Sequence, residues 1–188
     1  MQSRACFLMI AIAVAPQALA AQEKPSAPLP APVRSATPVA DGLRAMHQRF
    51  SNILIAAAEA MPADKYNYRP TPGQMSFAQI QVHLAKEGND VLCGNTAGLA
   101  VPQRSAVDST ATKEQLVARL KETFQFCEQA FARMDDSKLA DPISMFGMNM
   151  TRATAVLITV ADWSDHYSQE ANYLRLNGIL PPTAQHRM

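Results

Sequence analysis

Large apolar residues recur along this chain at intervals of three and four, the spacing of one face of a helix. In "PVADGLRAMHQRFSNILIAAAEAMP", Leu43, Met46, Phe50, Ile53, Leu54 and Ala57 follow that rhythm until Pro62 stops it. This predicts helix one. The turn residues of "ADKYNYRPTPGQM" then mark a loop. Ser76, with Gln79 three residues on, has the capping-box spacing that opens a second helix, whose apolar face carries Phe77, Ile80, Leu84 and Val91 and which extends to about Asn95.

"TAGLAVPQRSAVDST" is too polar and too interrupted to continue the helix and reads as a long surface crossover. Thr112 and Gln115 repeat the capping-box spacing, and Leu116, Leu120, Phe124, Cys127 and Phe131 give helix three, closed by Asp135 and Asp136. Helix four is expected from about Thr151 to Leu176, ended by Asn177-Gly178 and backed by Pro181 and Pro182. No strand-like alternation of useful length stands out, so the expectation is an all-α four-helix bundle with a long crossover between helices two and three and no sheet.

Ahead of this bundle, "MQSRACFLMIAIAVAPQALAAQ" places Arg4 before an apolar run of about a dozen residues and ends in Ala18-Leu19-Ala20, the small-x-small pattern of a cleavage site. The expectation is a signal peptide over residues 1–20, cut after Ala20, and a protein that is periplasmic or secreted. Cys6 precedes most of the apolar run and carries no lipoprotein pattern. No run approaches the roughly 20 apolar residues of a membrane span, so stable membrane insertion is not expected. Residues 21–40, with Pro25, Pro28, Pro30, Pro32 and Pro38, read as an extended spacer, the bundle as 41–182, and 183–188 as a tail.

Of the 188 residues, 48% are hydrophobic and 18% charged, enough for one domain with a real core. Without residues 1–20, which hold Arg4 and no acid, 16 basic residues face 16 acidic ones. Neither net charge nor a basic face supports a nucleic-acid partner. Cys93 and Cys127 remain, in a compartment where disulfides persist; they either bridge or stay as separate buried thiols.

The chemistry lies beside the core. On helix four, Asp162 and His166 are one turn apart at the rim of the Val156, Val160, Trp163, Tyr167, Leu174 face. His83 stands at the corresponding edge of helix two, with Glu87 one turn on. If the edges meet, His83, Asp162 and His166 make a three-ligand site suited to zinc, nickel, iron or manganese rather than calcium. The structural alternative pairs His166 with Asp162, and His83 with Glu87, through hydrogen bonds.

Glu170 is either an outer partner for a ligand imidazole or a solvated side chain. Tyr167, Tyr173 and Arg175 are candidates for orienting a substrate. Core packing accounts for Trp163, and loop anchoring for Tyr66 and Tyr68. His47 reads as a surface or rim residue and His186 belongs to the tail. Met145, Met148 and Met150 fit a loop packed over a bundle end better than a soft-metal site. Phosphate loops, nucleophile elbows and C-x-x-C motifs are absent from the sequence.

The succession "AAEAMPADKYNYRPTPGQMSFAQIQVHLAKEGNDVLC", a T-K-E-Q-L helix start, "FGMNMTRATAV" and "DHYSQEANYLRLNGILPP" strongly resembles the DinB-like family over residues 41–182. The resemblance implies a divalent metal held by one histidine on helix two and two histidines spaced by four on the last helix. His83 matches the first and His166 the last; Asp162 stands where the remaining histidine is expected. For activity it implies either a metalloenzyme, a hydrolase or a thiol S-transferase acting on an unknown small molecule, or a non-catalytic bundle with a degenerate site. Export argues against the transferase, because the usual thiol cofactors are cytoplasmic. The oligomeric state is open, with pairing into a homodimer through a helix face as one arrangement.

Overall fold

The computed structural model describes residues 34–185; the expected signal peptide, most of the spacer, Cys6 and His186 lie outside them. Helix α1 spans Pro38–Ala60, three residues into the expected spacer, because a proline suits the first helical turn. Its N-terminus has no cap of its own. Instead the Asp136 carboxylate accepts from the Val39 and Ala40 amides at 3.0 and 2.9 Å. Asp136 thus holds helix one rather than closing helix three, and Asp135 caps the short 3-10 turn Asp136–Lys138 through the Ser137 amide.

Helix two is α2 (Phe77–His83), a π-helical segment (Leu84–Val91) and α3 (Leu92–Ala97) in uninterrupted succession. Ser76 and Gln79 form the full capping box at its start, as Thr112 and Gln115 do for α4 (Lys113–Phe131). Helix α5 runs Arg152–Leu176 with Thr151 as N-cap, and Gly178 takes the left-handed φ of +75° that ends it. A short α6, Pro182–Gln185, follows, running from the last residue of the expected bundle into the expected tail. The Tyr167 hydroxyl pins it by donating to Thr183 Oγ1 at 2.8 Å and accepting from the Thr183 amide at 3.1 Å.

The four long helical elements pack as the expected all-α bundle, with α1 against α4 and α5, and the π-helical segment against α4 and α5. Leu43, Leu54, Phe77, Leu84, Leu120, Phe131, Trp163 and Leu174 are among its buried side chains. Residues 99–111 form the long crossover. The Sγ atoms of Cys93 and Cys127 are bonded, joining α3 to α4 with the Cα atoms 5.2 Å apart. No helix among the described residues is long and apolar enough to cross a membrane.

The structure departs from the expected pattern at two places in the packing. A two-stranded antiparallel hairpin, β1 (Pro142–Met145) and β2 (Met148–Thr151), precedes α5. Its strands are too short for alternation to register, and its turn is Phe146-Gly147, with φ of +54° and +73°, rather than an Asn-Gly pair. Met145 is buried against Leu92 and Ala155 whereas Met148 is exposed, so the methionines belong to packing at the bundle end. On α1, Met46 is exposed and His47 is buried. The His47 ring lies against Phe124, Phe131 and Trp163, and its Nε2 bonds the Phe124 carbonyl at 3.0 Å. That bond lets an imidazole take a core position, and burial pushes its pKa down.

Candidate metal centre

The π-helical segment and α5 meet edge to edge, and the meeting point is polar. His83, the last residue of α2, presents Nε2 to Asp162 Oδ1 at 3.6 Å; His166 presents its own Nε2 to the same oxygen at 3.5 Å. The imidazole rings are 4.5 Å apart between centroids. One ligand atom from each of the three residues lies within 4.8 Å of the others. His166 is buried, while His83 and Asp162 are part-buried.

These separations exceed a well-formed hydrogen bond. They match a different geometry, because ligands held about 2.0–2.2 Å from a tetrahedral first-row ion stand roughly 3.3–3.6 Å from one another. Two imidazole nitrogens and a carboxylate oxygen are also an appropriate donor set for such an ion. Asp162 Oδ2 and His166 Nδ1 are buried with no hydrogen-bond partner among the described residues. The residues present therefore fit a divalent metal.

The electrostatics are those of an anion between two imidazoles. Burial raises the Asp162 pKa, but the imidazoles of His166 and His83 outweigh it and bring the carboxyl down to about 2. Asp162 in turn raises the pKa of His83 against the opposing effect of burial, with Glu87 adding to the rise.

Glu87 is the second carboxylate at the site. Its Oε2 sits 2.6 Å from His83 Nδ1. This is the His83–Glu87 pairing that the structural alternative called for, but it engages the nitrogen opposite to Nε2. It is equally the contact that fixes a metal-ligating imidazole from behind.

The sequence gives no sign of how closely the backbone approaches. Gly88 lies on the π-helical segment, and a Cβ placed there would come 2.6 Å from Asp162 Oδ2. A glycine inside a helix is costly for the helix, and here its missing side chain makes room for the carboxylate. π-Helical turns are often found at functional sites.

Glu170, expected as an outer partner of a ligand or as a solvated group, is neither among the observed contacts. It is fully buried and accepts from Gln81 Nε2 at 2.5 Å. Tyr173 donates to the Met75 carbonyl at 2.9 Å, Tyr167 holds α6, and Arg175 is exposed, so none of the three has a recorded contact with the triad. Tyr66 donates to the Ala58 carbonyl and Tyr68 packs edge-on against Tyr173, which anchors the loop between α1 and α2. Trp163 is a core residue whose indole N–H donates to Asn89 Oδ1 at 2.9 Å.

With fold and site in place, the comparisons are consistent with one family. A family model of the DinB superfamily matches residues 46–169. The chain belongs to the DinB superfamily. A crystal structure of a DinB-like protein from Bacillus cereus ATCC 10987 superposes with a TM-score of 0.64 at 12% identity, covering 76% of this chain and 95% of that one. A DinB-like protein from Bacillus subtilis gives 0.59 at 17% identity, covering 73% and 92%. At these identities the likeness establishes the DinB fold alone. No curated protein matches the chain.

Proposed function

We propose that this DinB-superfamily protein is exported and binds a divalent metal through His83, Asp162 and His166, and that it acts as a metal-dependent hydrolase on a small molecule. The observation that carries the reading is the convergence of two imidazole Nε2 atoms on one Asp162 oxygen, at 3.6 and 3.5 Å. When bound, zinc, nickel, iron or manganese would supply Lewis acidity to water or to a substrate oxygen beside it.

The chain's own residues prepare that chemistry. Asp162 would offset part of the charge of a bound metal, and its low pKa keeps it ionised at any working pH. Glu87 holds the His83 ring by Nδ1, so that with a metal bound Nε2 would be the nitrogen that gives its lone pair to the ion. Gly88 leaves the space the Asp162 carboxylate occupies. Export rests on the apolar run and Ala18-Leu19-Ala20 pattern at the N-terminus, and N-terminal sequencing of the natural product would test it.

The same His83–Glu87 contact supports a second reading, a non-catalytic bundle in which Asp162 merely pairs with two imidazoles. Elemental mass spectrometry of the untagged protein, purified without chelator beside His166→Ala, separates the two. Near-stoichiometric metal that disappears in the variant supports the metal centre. Metal-free protein, even after addition of zinc, nickel and manganese, would overturn it and leave the non-catalytic reading.

A further inference from the structure

Between the π-helical segment and the crossover lies a cavity of about 720 Å3, to which His83 and Glu87 contribute. Small-molecule sites typically occupy about 300–1,000 Å3. Its apolar surface comes from both sides, with Met75, Val82 and Val91 from helix two and its approach, Val101 and Val107 from the crossover, and Leu116 from α4. The cavity thus meets the metal-binding group at the His83 imidazole and extends away from it under the crossover.

The charged groups in its walls narrow what can enter. Arg104 donates to Asp90 Oδ2 at 2.7 Å and to Glu122 Oε1 at 2.5 Å. Arg119 donates to Glu122 Oε2 at 3.0 Å and to the Ser105 carbonyl at 2.9 Å. Both guanidiniums are therefore neutralised within the protein. Lys86 is 74% exposed and 3.6 Å from Glu87 Oε1, so it offers a hydrated charge rather than a buried one. An anionic ligand would lose its hydration without gaining an unengaged buried cation.

The acceptors in its walls are engaged or covered as well. Asp90 is 6% exposed, and while Arg104 binds its Oδ2, its Oδ1 has no partner among the described residues. Gln81 also lines the cavity, but its amide is turned toward Glu170. Neither side chain presents a free, accessible polar atom to the cavity, so a strongly polar ligand would lose its hydration without replacement.

We infer that this cavity binds a neutral, largely apolar small molecule. Only the further step, that such a molecule is the substrate of the metal centre, rests on the function proposed above.

The test titrates the purified protein with N-phenyl-1-naphthylamine, a neutral fluorogenic amine with a single N–H. Saturable binding is expected, weakened at least tenfold by Val82→Trp and by Val101→Trp, which fill the cavity from opposite sides. Should the helical variant fail to fold, the crossover variant still decides. The sulfonated analogue 1-anilinonaphthalene-8-sulfonate should bind at least fivefold more weakly than the parent amine. Absence of saturable binding, tryptophan variants that bind as wild type, or equal or tighter binding of the sulfonated analogue would overturn the proposal. Treatment of the wild type with excess EDTA should leave binding of the parent probe unchanged, so loss of the metal reading and loss of this one are separately visible.

Discussion

Gly88 and Asp162 are in steric register across the π-helical segment and α5, since a Cβ on Gly88 would fall 2.6 Å from Asp162 Oδ2. That neighbour is a carboxylate that the metal-binding group needs in place, and Leu84 Cδ2 closes the other side at 3.4 Å. Gly88→Ala should therefore displace Asp162 while improving the intrinsic helix propensity of the segment. The expected outcome is a fall in metal affinity of at least tenfold with a folded, helical protein, read by metal titration and circular dichroism. Unchanged affinity would mean that the π-helical segment shifts freely and that Gly88 has no part in setting the site.

Gln81 and Glu170 form a buried pair whose protonation is fixed by its surroundings. Burial pushes the Glu170 pKa up to about 8, opposed by the Gln81 hydrogen bond. Gln81 Oε1 and Glu170 Oε2 are both without a recorded partner, and a protonated Glu170 has the hydroxyl donor that Gln81 lacks. The folded state thus holds a proton that the unfolded chain releases near the ordinary glutamate value of about 4.3. Between that value and about 8 the folded state binds more protons, so stability falls as pH rises, by up to about 1.4 kcal/mol per pH unit, and levels off above about 8. Urea unfolding of wild type and Glu170→Gln from pH 5 to 8.5 should show this slope in the wild type and its loss in the variant. Parallel curves would place the titration elsewhere.

What could be read from the sequence follows from which interactions are local. The capping boxes at Ser76 and Thr112 need only residues three apart, and the apolar faces need only 3.6-residue periodicity, so the bundle and its crossover were legible. The triad residues were legible too, as polar residues at two helix edges, although nothing in the spacing showed that the edges meet. The rest depends on partners distant in sequence. His47 takes a core place because the Phe124 carbonyl, 77 residues away, bonds it. Glu170 is buried because Gln81 arrives from another helix. The π-helical turn has no periodic signature of its own, and the run Glu87-Gly88-Asn89-Asp90 inside an apolar helix was its only trace.

Asn89 ties three helical elements at the bundle centre. It accepts from the Trp163 indole at 2.9 Å and donates to Thr123 Oγ1 at 2.9 Å, and it is fully buried. Asn89→Ala removes both partners and leaves the indole N–H without an acceptor, which should lower stability by about 2–4 kcal/mol. Trp163 is the chain's single tryptophan, so its emission reports this contact directly in urea unfolding. A loss below about 0.5 kcal/mol would show that water or a neighbouring group replaces the amide.

The Cys93–Cys127 bond closes a loop with a sequence separation of 34, containing the whole crossover, which forms one wall of the cavity. In the chain-entropy account a loop of this size stabilises the fold by about 3–4 kcal/mol, by restricting the unfolded chain. Both sulfurs are fully buried, so reduction should require prior opening of the bundle and be slow in the folded protein. The double variant Cys93→Ser, Cys127→Ser should lose about that stability in urea unfolding and, with the crossover less constrained when the chain opens, become more readily cleaved by protease within residues 99–111. Wild type that titrates two free thiols after denaturation without reductant would remove the bond and this prediction with it.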